Sequence, residues 1–89
     1  MPATMLAIVN AKGLHARASA KFVETVERFD ATATVRREGQ EVMGDSIMGL
    51  LMLAAARGTE IEVETAGPDA EALLAALAAL VADRFGEEG

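Results

Sequence analysis

The sequence predicts an α+β fold in two layers, with a sheet of four short strands covered by three helices. Residues 60–65 alternate Glu with Ile, Val and Thr, which is typical of a strand with one buried face. A helical stripe at spacings of four, four and three is formed by Ala18, Phe22, Val26 and Phe29. A strand with one charged face indicates a sheet covered on one side only, so we expect the helices on the opposite face.

The first elements are predicted to be a strand and a helix. Residues 4–10 form a short apolar run, which predicts a buried strand. Residues 11–14 predict a loop, and a helix is expected from Ala16 to about Arg28. Because Glu24 lies four residues before Arg28, we expect an ion pair between these two side chains on the helix surface.

A hairpin is predicted next. Residues 32–37 alternate, with Ala33 and Val35 on the face expected to be buried. Glu38-Gly39 predicts a turn, and residues 40–43 are expected to return as the second strand of the hairpin.

The second helix is expected to be short and largely apolar. Gly44-Asp45 interrupts the strand pattern, and Ser46 is a suitable N-cap for a helix from Ile47 to about Ala56. Gly58 is expected to close this helix as a C′ glycine.

The last helix is expected to follow the alternating strand. Gly67-Pro68-Asp69 predicts its start, and Gly86 predicts its end. Its expected buried stripe is Leu73, Leu77, Leu80, Val81 and Arg84 or Phe85. The order β-α-β-β-α-β-α predicts an antiparallel or mixed sheet with helices on one face.

Length and composition limit the functions that this chain supports. Its 89 residues predict one domain over 1–89, with a modest core and no deep active site. A formal charge of −6, with Phe as the only aromatic type, argues against nucleic-acid binding. The chain has one histidine and no cysteine, so we expect no metal, no cofactor and no thiol chemistry.

The sequence also predicts a cytoplasmic protein. The N-terminus lacks a basic region followed by a long apolar segment, as a secretory signal would have. The most apolar stretch, residues 70–82, is too short to span a bilayer, so no membrane insertion is expected.

His15 is the candidate functional residue, within the string Gly13-Leu14-His15-Ala16-Arg17. The predicted helix begins directly after it, and free backbone N–H groups at a helix N-terminus favour an anion. A neutral imidazole is a nucleophile near pH 7, while Arg17 can add charge-assisted hydrogen bonds to a phosphoryl group. The string therefore suggests a phosphoryl carrier. The alternatives are a helix N-cap or an incidental surface histidine, with Arg17 as a solvated charge.

That string resembles the active-site signature of the HPr family, the histidine phosphocarriers of the bacterial phosphotransferase system. Asp45-Ser46-Ile47-Met48-Gly49 resembles the family's regulatory-serine segment, and residues 51–58, 61–63 and 67–68 match the rest of its pattern. The predicted order of elements is also the family's order. In one departure, Ala18 stands where the family usually has proline, which suits the first turn of a helix.

The resemblance implies an HPr-like open-faced sandwich with a four-stranded antiparallel sheet and three helices on one face. It implies that His15 receives a phosphoryl group on Nδ1 from phospho-enzyme I and passes it to an enzyme IIA. The backbone N–H groups of Ala16 and Arg17, with the Arg17 side chain, are expected to stabilise that group. Such a protein is a relay rather than a stand-alone enzyme.

The resemblance also implies that HPr kinase/phosphorylase phosphorylates Ser46, for which the alternative is a plain N-cap. Partner binding is expected on Ala20, Ile47, Met48 and Leu51. The alternative is that all the apolar residues of the second helix are core. We expect a monomer.

Several functional alternatives remain at the level of sequence. The carrier serves either sugar uptake or a nitrogen-type regulatory branch, and the motifs do not separate the two. A second class is an HPr-like module that binds regulators without relaying phosphate. A third class is a small-molecule-binding domain, which would not explain the string around His15.

Overall fold

The computed structural model describes residues 1–88 and has the predicted order of elements. The strands are β1 (Ala3–Ala7), β2 (Thr32–Arg37), β3 (Gln40–Met43) and β4 (Glu60–Ala66). The helices are α1 (Ala16–Glu27), α2 (Ile47–Met52) and α3 (Ala70–Ala82), and a 3-10 turn, Arg84–Gly86, follows α3. The predicted α+β class, with four strands and three α-helices, is confirmed.

The strands form one antiparallel sheet in the order β1-β4-β2-β3. Strand β4 is central, and its Val63 pairs with Thr4 of β1 on one side and with Val35 of β2 on the other. The alternation in β4 is confirmed, since Ile61, Val63 and Thr65 are fully buried. Strands β2 and β3 form the predicted hairpin, and the turn residues Glu38 and Gly39 both have positive φ.

The core lies between the sheet and the helices. Inward-facing side chains of β2 and β4 share one buried cluster with side chains of all three helices. Phe22 of α1 and Leu77 of α3 are fully buried within it. In the predicted stripe of α3, Leu80 is only half-buried and Arg84 is exposed, whereas Phe85 is fully buried.

The opposite face of the sheet carries an ion-pair network rather than isolated glutamates. Arg36 of β2 donates to Glu41 at 2.7 Å and to Glu64 at 2.8 Å, and Glu62 lies 3.5 Å from the same guanidinium. The hydrogen bond to Glu41, followed by that to Glu64, raises the pKa of Arg36. Exposed cross-strand pairs of opposite charge stabilise a sheet only modestly, because water screens them.

Three expected boundaries are wrong. Helix α3 ends at Ala82 rather than Gly86, because Arg84 and Phe85 adopt left-handed φ values of 56° and 55°. Helix α2 ends at Met52 rather than Ala56, because Ala54 adopts a left-handed φ of 51° and leaves the helical path. Gly58 therefore does not close the helix. Strand β1 ends at Ala7 rather than Asn10, because Ile8 exchanges hydrogen bonds with Gly58 and Thr59 in a loop.

The expected ion pair between Glu24 and Arg28 does not form among the salt bridges of residues 1–88. Both side chains are exposed, where such a pair contributes little. No helix in the described part of the chain is both long and apolar enough to cross a membrane.

Candidate functional site

His15 is the N-cap residue of α1. Its backbone is extended, with φ −79° and ψ −177°, and its carbonyl oxygen accepts the Ser19 N–H at 2.8 Å. Its side chain makes no capping hydrogen bond. His15 therefore occupies the N-cap position, as one alternative predicts, but its half-buried ring makes no capping bond and is available for other chemistry.

A tight turn holds the loop that precedes His15. The side-chain amide of Asn10, which is fully buried, donates to the carbonyl oxygen of Gly13 at 2.7 Å. Gly13 has a φ of 65°, which glycine adopts without steric cost. Leu14, only 4% exposed, then donates its N–H to the carbonyl oxygen of Ala55 at 2.9 Å. These contacts fix the backbone next to the imidazole.

The first turn of α1 provides the donors expected for an anion. The first N–H groups of an α-helix lack intrahelical acceptors, and the first such bond here comes from Ser19. The N–H groups of Ala16 and Arg17 precede it, at the positive end of a 12-residue helix. Arg17 is exposed and makes no ion pair within residues 1–88, which leaves its guanidinium available for a ligand. Ala18 is fully buried in the same turn.

The C-terminal segment completes the site, and no sequence pattern pointed to it. A carboxylate oxygen of Glu87 contacts Nε2 of His15. The other oxygen accepts a hydrogen bond from Asn10 at 3.1 Å. The contact with His15, and then that with Asn10, lowers the pKa of the Glu87 carboxyl. Only the buried Phe85, two residues earlier, belonged to a predicted stripe.

An open cleft surrounds the imidazole, and both basic and acidic side chains line it. It is lined by Lys12, His15, Arg17, Lys21 and residues 86–88. Three of the lining residues are basic, although the chain as a whole carries a formal charge of −6. Cations beside an unpaired helix start favour a phosphoryl group.

Ser46 lies at a separate point, as the N-cap of α2. Its Oγ accepts the Gly49 N–H at 3.0 Å, so the predicted capping role is confirmed. None of its hydrogen bonds reaches the His15 loop.

Helix α2 is split between core and surface. Leu50 and Leu53 are buried, as expected, while Met48 is 68% and Ile47 39% exposed. The idea that all its apolar residues are core is therefore wrong. Leu51 is only half-buried, and Ala20 of α1 is also half-buried. Sequence reasoning missed Met52, which is as exposed as Met48.

Comparison with known proteins identifies the family. A family model described as the PTS HPr component phosphorylation site matches residues 3–83. The chain belongs to the HPr family. The HPr proteins are phosphocarriers of the phosphotransferase system, so the sequence resemblance is confirmed.

Individual relatives agree with this assignment. The phosphocarrier protein HPr of Neisseria meningitidis is 50% identical over 80 residues, which is 90% of each chain. The phosphocarrier protein NPr of Escherichia coli is 44% identical over 82 residues, 91% of each chain. The crystal structure of HPr-C-His from Thermoanaerobacter tengcongensis has a TM-score of 0.95 at 35% identity over the full length of both chains. Another HPr structure from that organism, described as a dimer, has a TM-score of 0.77 at 34% identity, covering 98% of this chain and 100% of the other.

Proposed function

We propose that this protein, as a single domain over residues 1–89, accepts a phosphoryl group on His15 from phospho-enzyme I and passes it to an enzyme IIA. Membership of the HPr family supports the relay and partners of these two kinds. The observation that carries the assignment is the placement of the imidazole. His15, the one histidine of the chain, precedes a free helix start and lies beside Arg17.

The contacts of the site support each part of the transfer. The Nδ1 lone pair of a neutral imidazole would attack phosphorus, while the N–H groups of Ala16 and Arg17 and the guanidinium hold the phosphoryl oxygens. Positioning and electrostatics carry most of the catalysis in phosphoryl transfer. The cleft is open, so the partner supplies the remaining walls. We therefore describe the protein as a relay that acts only with its partners.

The docking surface proposed for both partners comprises Ala20, Ile47, Met48 and Leu51, to which the structure adds Met52. Contiguous exposed apolar side chains are typical of interaction sites, and flexible Met side chains adapt to more than one partner. We propose that the protein works as a monomer in the cytoplasm, where the enzymes that it serves would meet it.

We further propose that HPr kinase/phosphorylase phosphorylates Ser46. A phosphate there would add about −2 charge next to the exposed Ile47 and Met48. That charge would weaken docking on the apolar surface of α2.

The decisive experiment is incubation with enzyme I, phosphoenolpyruvate and Mg²⁺, followed by intact mass measurement. We expect a gain of about 80 Da that is acid-labile and absent from His15→Ala. His15→Ala should keep the wild-type circular dichroism spectrum. No gain in the wild type, with an active enzyme I control, would instead favour a module that binds regulators without relaying phosphate. Transfer onward to a sugar-type or a nitrogen-type IIA then decides the branch.

A further inference from the structure

Glu87 contacts the nucleophilic side chain directly, although 72 residues separate it from His15. One carboxylate oxygen meets Nε2 of the imidazole, and the other is held by the buried amide of Asn10 at 3.1 Å. The side chain of Glu87 is only 17% exposed, against 27% for His15. This carboxylate is therefore placed by the fold and is not a loose surface charge.

Two contacts hold the segment that carries Glu87, and its strained backbone shows that they do so. Phe85 is fully buried in the core. Its carbonyl oxygen accepts a hydrogen bond from Lys21 of α1 at 2.6 Å. Arg84 and Phe85 have φ values of 56° and 55°, which are unfavourable for residues with a side chain and persist only where the surroundings impose them. The chain reverses here, and the reversal carries Glu87 to His15.

We propose that Glu87 is a positioning residue. It accepts a hydrogen bond from Nε2 of His15 and so leaves Nδ1 as the nitrogen that takes the phosphoryl group. A carboxylate accepts only, so the contact requires that Nε2 carries the proton. Within residues 1–88, Nδ1 has no hydrogen-bond partner, and in this tautomer it holds the ring's free lone pair. The proposal rests on the proposed function of His15.

The transfer then balances without movement of a proton. The Nδ1 lone pair forms the N–P bond, while the bond from phosphorus to the donor atom breaks and its electron pair returns to the donor. The proton on Nε2 remains, so the phosphorylated ring is an imidazolium. The negative charge of Glu87 stabilises that imidazolium, as a carboxylate does in other pairs with histidine. Onward transfer breaks the N–P bond, returns the pair to Nδ1 and restores the neutral ring.

The test uses phosphoramidate, a small phosphoryl donor that needs no partner protein, so that only the chain itself selects the nitrogen. The variants are Glu87→Ala and Glu87→Gln. The matched control is Glu27→Ala, because Glu27 is exposed at the far end of α1 and makes no side-chain hydrogen bond within residues 1–88. The products are assigned by ³¹P and ¹⁵N NMR. A second readout is the Nε2-bound proton of the unphosphorylated protein, observed by ¹H NMR.

In the wild type and Glu27→Ala we expect about a tenfold excess of the Nδ1 product and a protected, downfield Nε2 proton, as for a hydrogen bond to a charged group. Glu87→Ala should give a mixture of both products and lose the protected proton while keeping the wild-type melting temperature. Glu87→Gln should keep the proton signal, because an amide oxygen still accepts.

Identical products and proton signals in Glu87→Ala and Glu27→Ala would overturn the proposal. Failure of the proposed function looks different. In that case phosphoramidate labels Nδ1 of the wild type, but phospho-enzyme I does not label the protein at all.

Discussion

The carbonyl oxygen of Ala55 accepts the N–H of Leu14 at 2.9 Å, which joins the loop after α2 to the residue that precedes His15. The two segments approach so closely because Gly13 has no side chain. A β-carbon on Gly13 would lie 2.5 Å from the same oxygen and 2.9 Å from the Cα of Ala56. The same close approach of the two loops therefore accounts for both the early end of α2 and the position of the imidazole.

Gly13→Ala should be strongly destabilising. The new methyl meets rigid backbone and the φ of 65° is unfavourable, so we expect a loss of about 3 kcal/mol in the free energy of unfolding. Gly39→Ala is the matched control, because its φ is 82° but nothing lies within 4 Å of its β-carbon. It should lose about 1 kcal/mol. Urea unfolding followed by circular dichroism measures both, and equal losses would contradict the close approach.

Arg17→Ala should slow phosphoryl transfer while leaving docking intact. Loss of a charge-assisted contact to the phosphoryl oxygens should reduce the rate about tenfold or more. Rapid-quench kinetics with phospho-enzyme I gives the rate, and NMR titration with unphosphorylated enzyme I gives the affinity. Arg28→Ala removes another exposed charge, at the C-cap of α1, and should leave both quantities unchanged. Unchanged kinetics for Arg17→Ala would make Arg17 a surface charge only.

Two substitutions of Ser46 separate capping from regulation. Ser46→Ala loses the acceptor for the Gly49 N–H and should cost about 1 kcal/mol of stability, with normal affinity for enzyme I. Ser46→Asp retains a capping oxygen and should stay near wild-type stability, yet bind enzyme I more weakly because its charge lies beside Ile47 and Met48. Calorimetric titration tests this, and equal affinities for the two variants would count against regulation.

The Glu87 carboxyl should titrate below its ordinary pKa of 4.5, since contacts with His15 and Asn10 and the nearby Lys12 favour the charged form. A group with a lowered pKa in the folded state contributes stability above its ordinary pKa and loses it as the pH falls through the lowered value. In His15→Ala the largest cause is absent, so the midpoint should rise toward 4.5. The carboxyl ¹³C shift of Glu87 reports both midpoints, and an unchanged midpoint in His15→Ala would show that the contact is absent in solution.

Local sequence patterns predict those parts of this fold in which the conformational preference of a segment agrees with its tertiary packing. Alternation in β4 and the stripe of α1 both follow from burial of one face, and both are found. Ser46 was predicted as a cap because its chemistry acts within three residues. The His15 string was likewise visible, because its donors and its imidazole are neighbours in sequence.

The remaining features depend on contacts between segments that no local pattern records. Apolar residues continue past Met52, so periodicity extends α2, but the left-handed Ala54 turns the chain toward Leu14. Glu87 lacks any periodic signal, because its position is set by Phe85, Lys21 and Asn10 from other elements. The sequence shows the proposed nucleophile, His15, but not the carboxylate beside it.

The pairing of β1 with β4 and of His15 with Glu87 also sets an order of events during synthesis. The β2–β3 hairpin can close soon after residue 43 leaves the ribosome, since its partners are near in sequence. The sheet must wait for β4, and the surroundings of His15 must wait for residue 87. Non-local contacts of this kind slow folding and are made late. On a growing chain, the cleft around His15 is therefore completed only after all four strands of the sheet are available.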